Sequence, residues 1–357
     1  MNSWPDSRLL DLCGISLPIL QAPMAGPGLH AMAIAVAQAG GLGALPCALL
    51  SEAQVRSELA LIRAQTAAPL NLNFFCHQSP APDAAREAAW RAQLRPYYLE
   101  LGLDPDMPVP ASIRNPFDAA MCALVEDFRP AVVSFHFGLP APELLARVQA
   151  TGAKVISSAT TLAEARWLEA RGVDAIIAQG FEAGGHRGVF LHAEVYSQLG
   201  TFALVPQIVD AVRVPVIAAG GIMDGRGMAA AFMLGAAGVQ IGTAYLYTPQ
   251  ANITPAHHAA LRSAQAETTA LTNLFTGRPA RGMVNRLMLD TGPLSPLAPA
   301  FPLAGGALTP LKTAAEAQGS ADFSALWAGQ GAPLGREMGA AELTQRIAGE
   351  ALALLAR

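Results

Sequence analysis

Lysine is nearly missing from this chain: Lys154 and Lys312 are its only two, so arginine carries almost all the positive charge. Charged residues of both signs make up just 14% of the sequence and sum to −4 with histidine neutral. No basic stripe is present, which argues against a nucleic-acid partner. Cysteine is scarce too. Cys13, Cys47, Cys76 and Cys122 show no metal-ligand spacing, as buried thiols of a reduced compartment do. The adjacent Cys76 and His77 find nothing nearby to complete a nucleophile or metal set, so no metal is expected. Long apolar runs are missing as well, none approaching the roughly 20 residues of a membrane span. The first six residues, Met1 to Asp6, have neither the basic nor the apolar segment of a leader. The expected location is the cytoplasm, with no membrane partner.

What the chain has in quantity is apolar side chains, 52% of its 357 residues. That suffices for a large core and excludes disorder. The length allows one large α/β barrel with additions, or two ordinary domains.

Eight short apolar runs read as buried strands, at residues 18–22, 42–46, 69–75, 131–137, 154–158, 174–178, 214–219 and 238–245. Helices are expected between them. Leu29, Met32, Ala33, Val36 and Ala37 have helical spacing, and Ser51 with Gln54 has capping-box form. Thr161 with Glu164, and Asp224, are further caps. Helices at about 143–150, 202–212 and 255–266 continue the series. Eight strand–helix alternations with nearly continuous apolar strands imply parallel pairing with helices outside. Eight is the number that closes a (β/α)8 TIM-type barrel. A doubly wound sheet is the fallback, but a usable G-x-G-x-x-G after the first strand is missing. The barrel is expected to span 1–266, with an insertion at about 76–130 that holds a helix near 83–94 and a proline-rich loop at 104–116. Residues 267–357 leave the repeat. They read as a smaller, mostly helical cap, with helices near 311–318, 323–327 and 340–356, the last packing back on the barrel.

Function in such a barrel sits at the C-terminal ends of the strands. Ala22, Pro23 and Met24 follow the first strand. Asn71 and Asn73 share one face of the third, being two apart. The run AQGFEAGGHRG at 178–188 follows the sixth and sets His186 among four glycines. Glycine lets backbone approach a flat ligand closely, and histidine exchanges a proton near neutral pH. Gly220 and Gly221 follow the seventh strand, and Gln240, Ile241, Gly242 and Thr243 end the eighth. Two such glycine turns, one entering a helix, form the usual barrel cradle for a phosphate and need no lysine. Taken singly, each could also be a plain strand-to-helix turn. Asn73 and Gln179 can donate and accept, as a flavin's ring edge requires, and Met24 offers a soft apolar face. Glu182 either orients His186 or is a helix-capping or salt-bridging group. His30, His136, His192, His257 and His258 read as ordinary core or surface residues.

Several segments together resemble the nitronate monooxygenases, formerly grouped as 2-nitropropane dioxygenases, of class I. They are PILQAPMA (18–25), NLNFF (71–75), DAIIAQG (174–180), EAGGHRG (182–188) and LVPQIV (204–209). PVIAAGGIMDGRG (215–227), GVQIGT (238–243), TGRPARG (276–282) and LWAGQ (326–330) extend the match over nearly the whole chain. The resemblance implies an FMN barrel, with cofactor contacts at Asn73, Gln179, Gly184, Gly221 and Gln240 through Thr243; Ala22, Pro23, Met24, Gly185 and Gly220 join them as expected contacts from their place at the strand ends. It implies His186 as the catalytic histidine. The implied reaction oxidises an alkyl nitronate, propionate 3-nitronate above all, with O2 to a carbonyl compound and nitrite, a detoxification. Asn71 and Lys312 are candidate substrate contacts, although Lys312 could as easily be a solvated surface residue. Oligomeric state is left open. Phe301-Pro302 stands where the family pattern has Tyr-Pro, and Gly305-Gly306 interrupts it; if that tyrosine gives the family's pocket a hydroxyl, specificity here differs. An NAD(P)H-dependent FMN reductase of the enoyl-[acyl-carrier-protein] or quinone reductase type shares the glycine–histidine loop and is the alternative enzyme. A flavin-storing protein without turnover is the non-enzymatic one.

Overall fold

The computed structural model describes residues 4–81, 83–192 and 195–357; residues 1–3, part of the stretch searched for a leader, lie outside it. Among the described residues no helix is long and apolar enough to cross a membrane.

The apolar runs become parallel strands. In chain order they are β1 (Ile19–Gln21), β2 (Gly43–Pro46), β3 (Leu70–Phe75), β4 (Val132–His136), β5 (Lys154–Ala159) and β6 (Ala175–Gln179). A two-residue strand, β7 (Gly185–His186), belongs to another sheet, and β8 (Val216–Ala219) and β9 (Gly238–Ile241) complete the set. The order is β1-β9-β8-β6-β5-β4-β3-β2. The outer strands then meet through a bridge between Leu20 and Leu42. That seam is short, and a side chain lengthens it: Gln21 Nε2 donates to Ala44 O at 3.1 Å, and Oε1 accepts from Ala44 N at 3.0 Å. The result is a nearly closed (β/α)8 barrel.

Alternation along the strands sorts the core into two layers. Leu20, Leu42, Val132, Ile156, Ile177 and Ile217 pack together with Leu9 and Cys13 of the helix Arg8–Cys13, which plugs the lumen. Leu72, Phe74, Val133, Val155, Ile176, Val216 and Val239 face the helices instead. The expected caps form on Ser51, Thr161 and Asp224. The final helix, Ala340–Leu355, buries Leu343, Thr344, Ile347 and Ala351 at helical spacing against the helices His30–Gln38 and Gly225–Met233.

Four elements differ from the sequence reading. The helix Ala84–Glu100 runs six residues past 94 and through Pro96. It shares a second core with residues beyond 267: Trp90, Leu94 and Tyr98 pack with Leu274, Phe275, Leu311 and Phe323. Helix Ala119–Phe128, within the expected insertion, joins the main barrel core through Cys122, Leu124 and Val125. Beyond 267 the chain is not mostly helical at first, for β10 (Thr269–Thr272), β11 (Ala280–Met283) and β7 form an antiparallel sheet. The helix expected near 323–327 is not one. Leu326 O accepts from Met283 N at 2.8 Å and Trp327 bridges Gly282, so this apolar stretch lies along the small sheet.

Candidate active site

The C-terminal ends of the barrel strands surround one cavity. Ala22, Pro23 and Met24 line it after β1, and Asn73 lines it from β3. Gln179, Gly184, Gly185 and His186 contribute from β6 and its loop, Gly220 and Gly221 after β8, and Gln240, Gly242 and Thr243 from β9. Three expected residues do not line it. Ile241 follows the lining Gln240 by one residue, so its side chain turns to the helix layer. Asn71 lies two residues deeper than Asn73, fully buried, with neither amide atom hydrogen-bonded among the described residues. Lys312 sits on the helix Gly305–Ala317, half-exposed, with its Nζ 4.0 Å from Glu316.

His186 lies in an aromatic cage. Its ring centroid is 5.3 Å from Phe301, 5.7 Å from Trp327, 5.9 Å from Phe137 and 6.0 Å from Phe75. Burial in these dry surroundings, then the positive charge of Arg114, hold the imidazole well below its usual range, so it is neutral at pH 7. Nε2 lies 3.0 Å from the Thr276 hydroxyl, while Nδ1 has no partner among the described residues. The loop around it is braced from below. Gln179 Nε2 donates to His186 O at 3.0 Å and Oε1 accepts from Gly188 N at 2.7 Å. His136 Nε2 reaches the same carbonyl at 3.2 Å, and its Nδ1 pairs with the Ser158 hydroxyl at 2.6 Å. Arg187, fully buried, donates to Gly180 O at 2.6 Å and Gln179 O at 2.7 Å. Much of Gln179 is thus spent on the loop itself, whereas the sequence reading assigned its amide wholly to a ligand.

The glycines have distinct jobs. A Cβ on Gly184 would stand 2.5 Å from Gly329 N and 2.6 Å from Ala328 C. Gly184 therefore admits the 328–330 segment, which Thr243 Oγ1 holds by accepting from Gly329 N at 2.9 Å. Gly220 and Gly221 have φ of +114° and +73°, the left-handed region that glycine alone enters cheaply. The turns after β8 and β9 leave donors free: Gly221, Ile222, Gly242 and Thr243 all line the cavity, and their amides donate to nothing among the described residues. The helix N-terminus expected to join this cradle is already taken. Asp224 accepts from Arg226 N and Gly227 N, and Glu350 from Gly225 N. The loop amides remain. Gln240 Oε1 is buried without a partner, and the side-chain oxygen Oδ1 of Asn73 accepts nothing among the described residues while its Nδ2 donates to Ser134. Orphaned acceptors beside a row of free amides fit a flat heterocycle that carries a phosphate.

Glu182 resolves as a helix cap. Its carboxylate accepts from Thr201 N at 2.8 Å and from the Thr201 hydroxyl at 2.9 Å, at the start of the helix Thr201–Val209. Arg114, His136 and Trp327 line the cavity without having been singled out for it. His136 ends β4 two residues after Ser134, on the inward face, a parity that could have exposed it. Arg114 comes from the proline-rich loop, where no pattern marks it.

The family model described as nitronate monooxygenase matches residues 6–350. The nitronate monooxygenase of Pseudomonas aeruginosa is 43% identical over 349 residues, which is 96% of this chain and 98% of that protein. Among solved structures, nitroalkane oxidase from Streptomyces ansochromogenes superposes with a TM-score of 0.88 at 38% identity, covering 97% of this chain and 98% of that one. FabK from Thermotoga maritima superposes with a TM-score of 0.71 at 26% identity, over 98% and 97% of the two chains.

Proposed function

The chain belongs to the nitronate monooxygenase family, and from that we propose an FMN-dependent oxidation of alkyl nitronates by O2 to a carbonyl compound and nitrite. Propionate 3-nitronate is the proposed substrate, and detoxification the role. The observation that carries the reading is the meeting, in one cavity, of partnerless loop amides with a neutral imidazole in an aromatic cage. FMN, when bound, supplies the electron transfer between nitronate and O2.

In this reading the amides of Gly221, Ile222, Gly242 and Thr243 would hold the phosphate. Asn73 and Gln240 would serve the polar ring edge beside Gln179, Gly184 and Gly185, and Ala22, Pro23 and Met24 its apolar face. Gly220 shapes the turn.

His186 acts through Nδ1, the nitrogen left free. The Thr276 hydroxyl can rotate and so sets the tautomer. When it accepts from Nε2–H, Nδ1 carries a lone pair that takes the α-proton of a neutral nitroalkane. When it donates, Nδ1–H bonds an oxygen of a nitronate already formed. The aromatic walls exclude water and keep that imidazole uncharged.

The test is anaerobic mixing of the purified yellow protein with propionate 3-nitronate and, separately, with NADH. The nitronate is expected to change the flavin absorbance, and NADH to leave it nearly untouched. Fast bleaching by NADH would replace this reading with a reductase.

A further inference from the structure

Most buried arginines of this chain are tied down. Arg187 holds the carbonyls of residues 179 and 180, Arg281 donates to Phe181 O at 3.0 Å, and Arg278 bonds Val189 O and stacks on Phe137. Arg114 differs. It lines the cavity with His186, is half-buried, and its guanidinium makes no hydrogen bond or ion pair with any described residue. Among the described residues no acidic side chain lines the cavity, and with the histidines neutral Arg114 is the only charged one of them that does. A planar guanidinium with five donors, partly withdrawn from water and left unpaired, is poised for an anion, and its fork matches a carboxylate.

Its origin indicates which anion. Asn73, Gln179, Gln240 and His186 come from the barrel strands and the loop of β6, where the reacting carbon has to lie. Arg114 comes from the excursion between the helices Ala84–Glu100 and Ala119–Phe128. In barrels of this kind strand ends hold the chemistry and added loops set the choice of substrate. Phe301, whose ring faces His186, supplies no hydroxyl to share the task.

We propose that Arg114 is the specificity-determining residue of this pocket, taking a carboxylate that the substrate carries at the end remote from its nitronate carbon. The inference rests on the proposed oxidation of propionate 3-nitronate and names the residue that takes that substrate's carboxylate. Chains with a terminal carboxylate are preferred over plain alkyl nitronates of the same length.

The experiment compares kcat/KM of the holoenzyme for propionate 3-nitronate and for the anion of 1-nitropropane, in wild type, Arg114→Gln and Arg114→Lys. Arg114→Gln is expected to lower the ratio of the two by about 10–100-fold, the worth of a charge-assisted hydrogen bond, mainly through KM. Arg114→Lys should recover part of it. Calorimetric titration of the same proteins with propionate, which does not turn over, should show the same order of affinities. An equal fall for both substrates, with propionate binding unmoved, would overturn the proposal and give Arg114 to the nitronate or the cofactor instead. If wild type oxidises neither nitronate, the proposed function fails, yet the propionate titration still decides the anion site: loss of binding in Arg114→Gln supports it and unchanged binding refutes it.

Discussion

At position 186 a histidine among glycines was readable as a candidate functional residue, but its protonation was not. Its neutrality comes from Phe75, Phe137, Phe301 and Trp327, which lie up to 141 positions away in sequence (327 − 186) and meet only in the fold. Replacing His186 with Asn should cut turnover of neutral nitroalkanes by about 10²–10⁴-fold, the usual worth of a positioned base. Nitronates already formed should lose a smaller factor, and the flavin-to-protein ratio should hold. Oxygen uptake and absorbance read both, and release of flavin from the variant would make His186 a scaffold residue. Glu182 shows the opposite lesson. Four residues from a histidine, it invited a catalytic role, and the backbone N–H of Thr201 claimed it. Arg114 was invisible because a proline-rich loop has no periodicity to say which side chain turns inward.

The barrel strands were legible because each is largely apolar and buried on both faces. The small sheet was not. β11 contains Arg281, which is 2% exposed and satisfied by Phe181 O and Thr269, so a charge that reads as surface is interior. Residues 323–327 carry apolar spacing that suits a helix, but pairing with residues 282 and 283 decides otherwise. One side chain extends the closing seam beyond its backbone bridge. Gln21→Leu would leave Ala44 N and O unpaired inside the barrel wall, at a cost of about 2 kcal/mol or more. Thermal or urea unfolding measures it, and a variant as stable as wild type would show that the Leu20–Leu42 bridge closes the barrel unaided.

For the molecule as a whole, the buried imidazoles make stability depend on acid. Burial, assisted by the Arg278 charge, lowers His77 to about 4. Burial likewise lowers His136 to about 3 and His257 to about 4, and His186 is well below its usual value. Unfolded, each takes a proton near pH 6.5. Between that value and the folded ones the unfolded chain binds more protons, so stability falls as pH falls, by up to about 1.4 kcal/mol per pH unit for each such histidine. The melting temperature should be nearly level from pH 8 to 7 and drop steeply from about pH 6 to 4. Calorimetry over that series checks it, and a melting point held down to about pH 4.5 would mean these rings reach solvent. By itself the sequence determined the eightfold alternation, the position of the glycine–histidine loop and the two glycine turns, since all are local patterns of period and residue type. Only the tertiary structure decided that Ile241, Asn71 and Lys312 stand outside the cavity lining and that Arg114 and His136 belong to it. Which face a side chain takes, and what lies opposite, depends on contacts between residues distant in sequence, which no local period encodes.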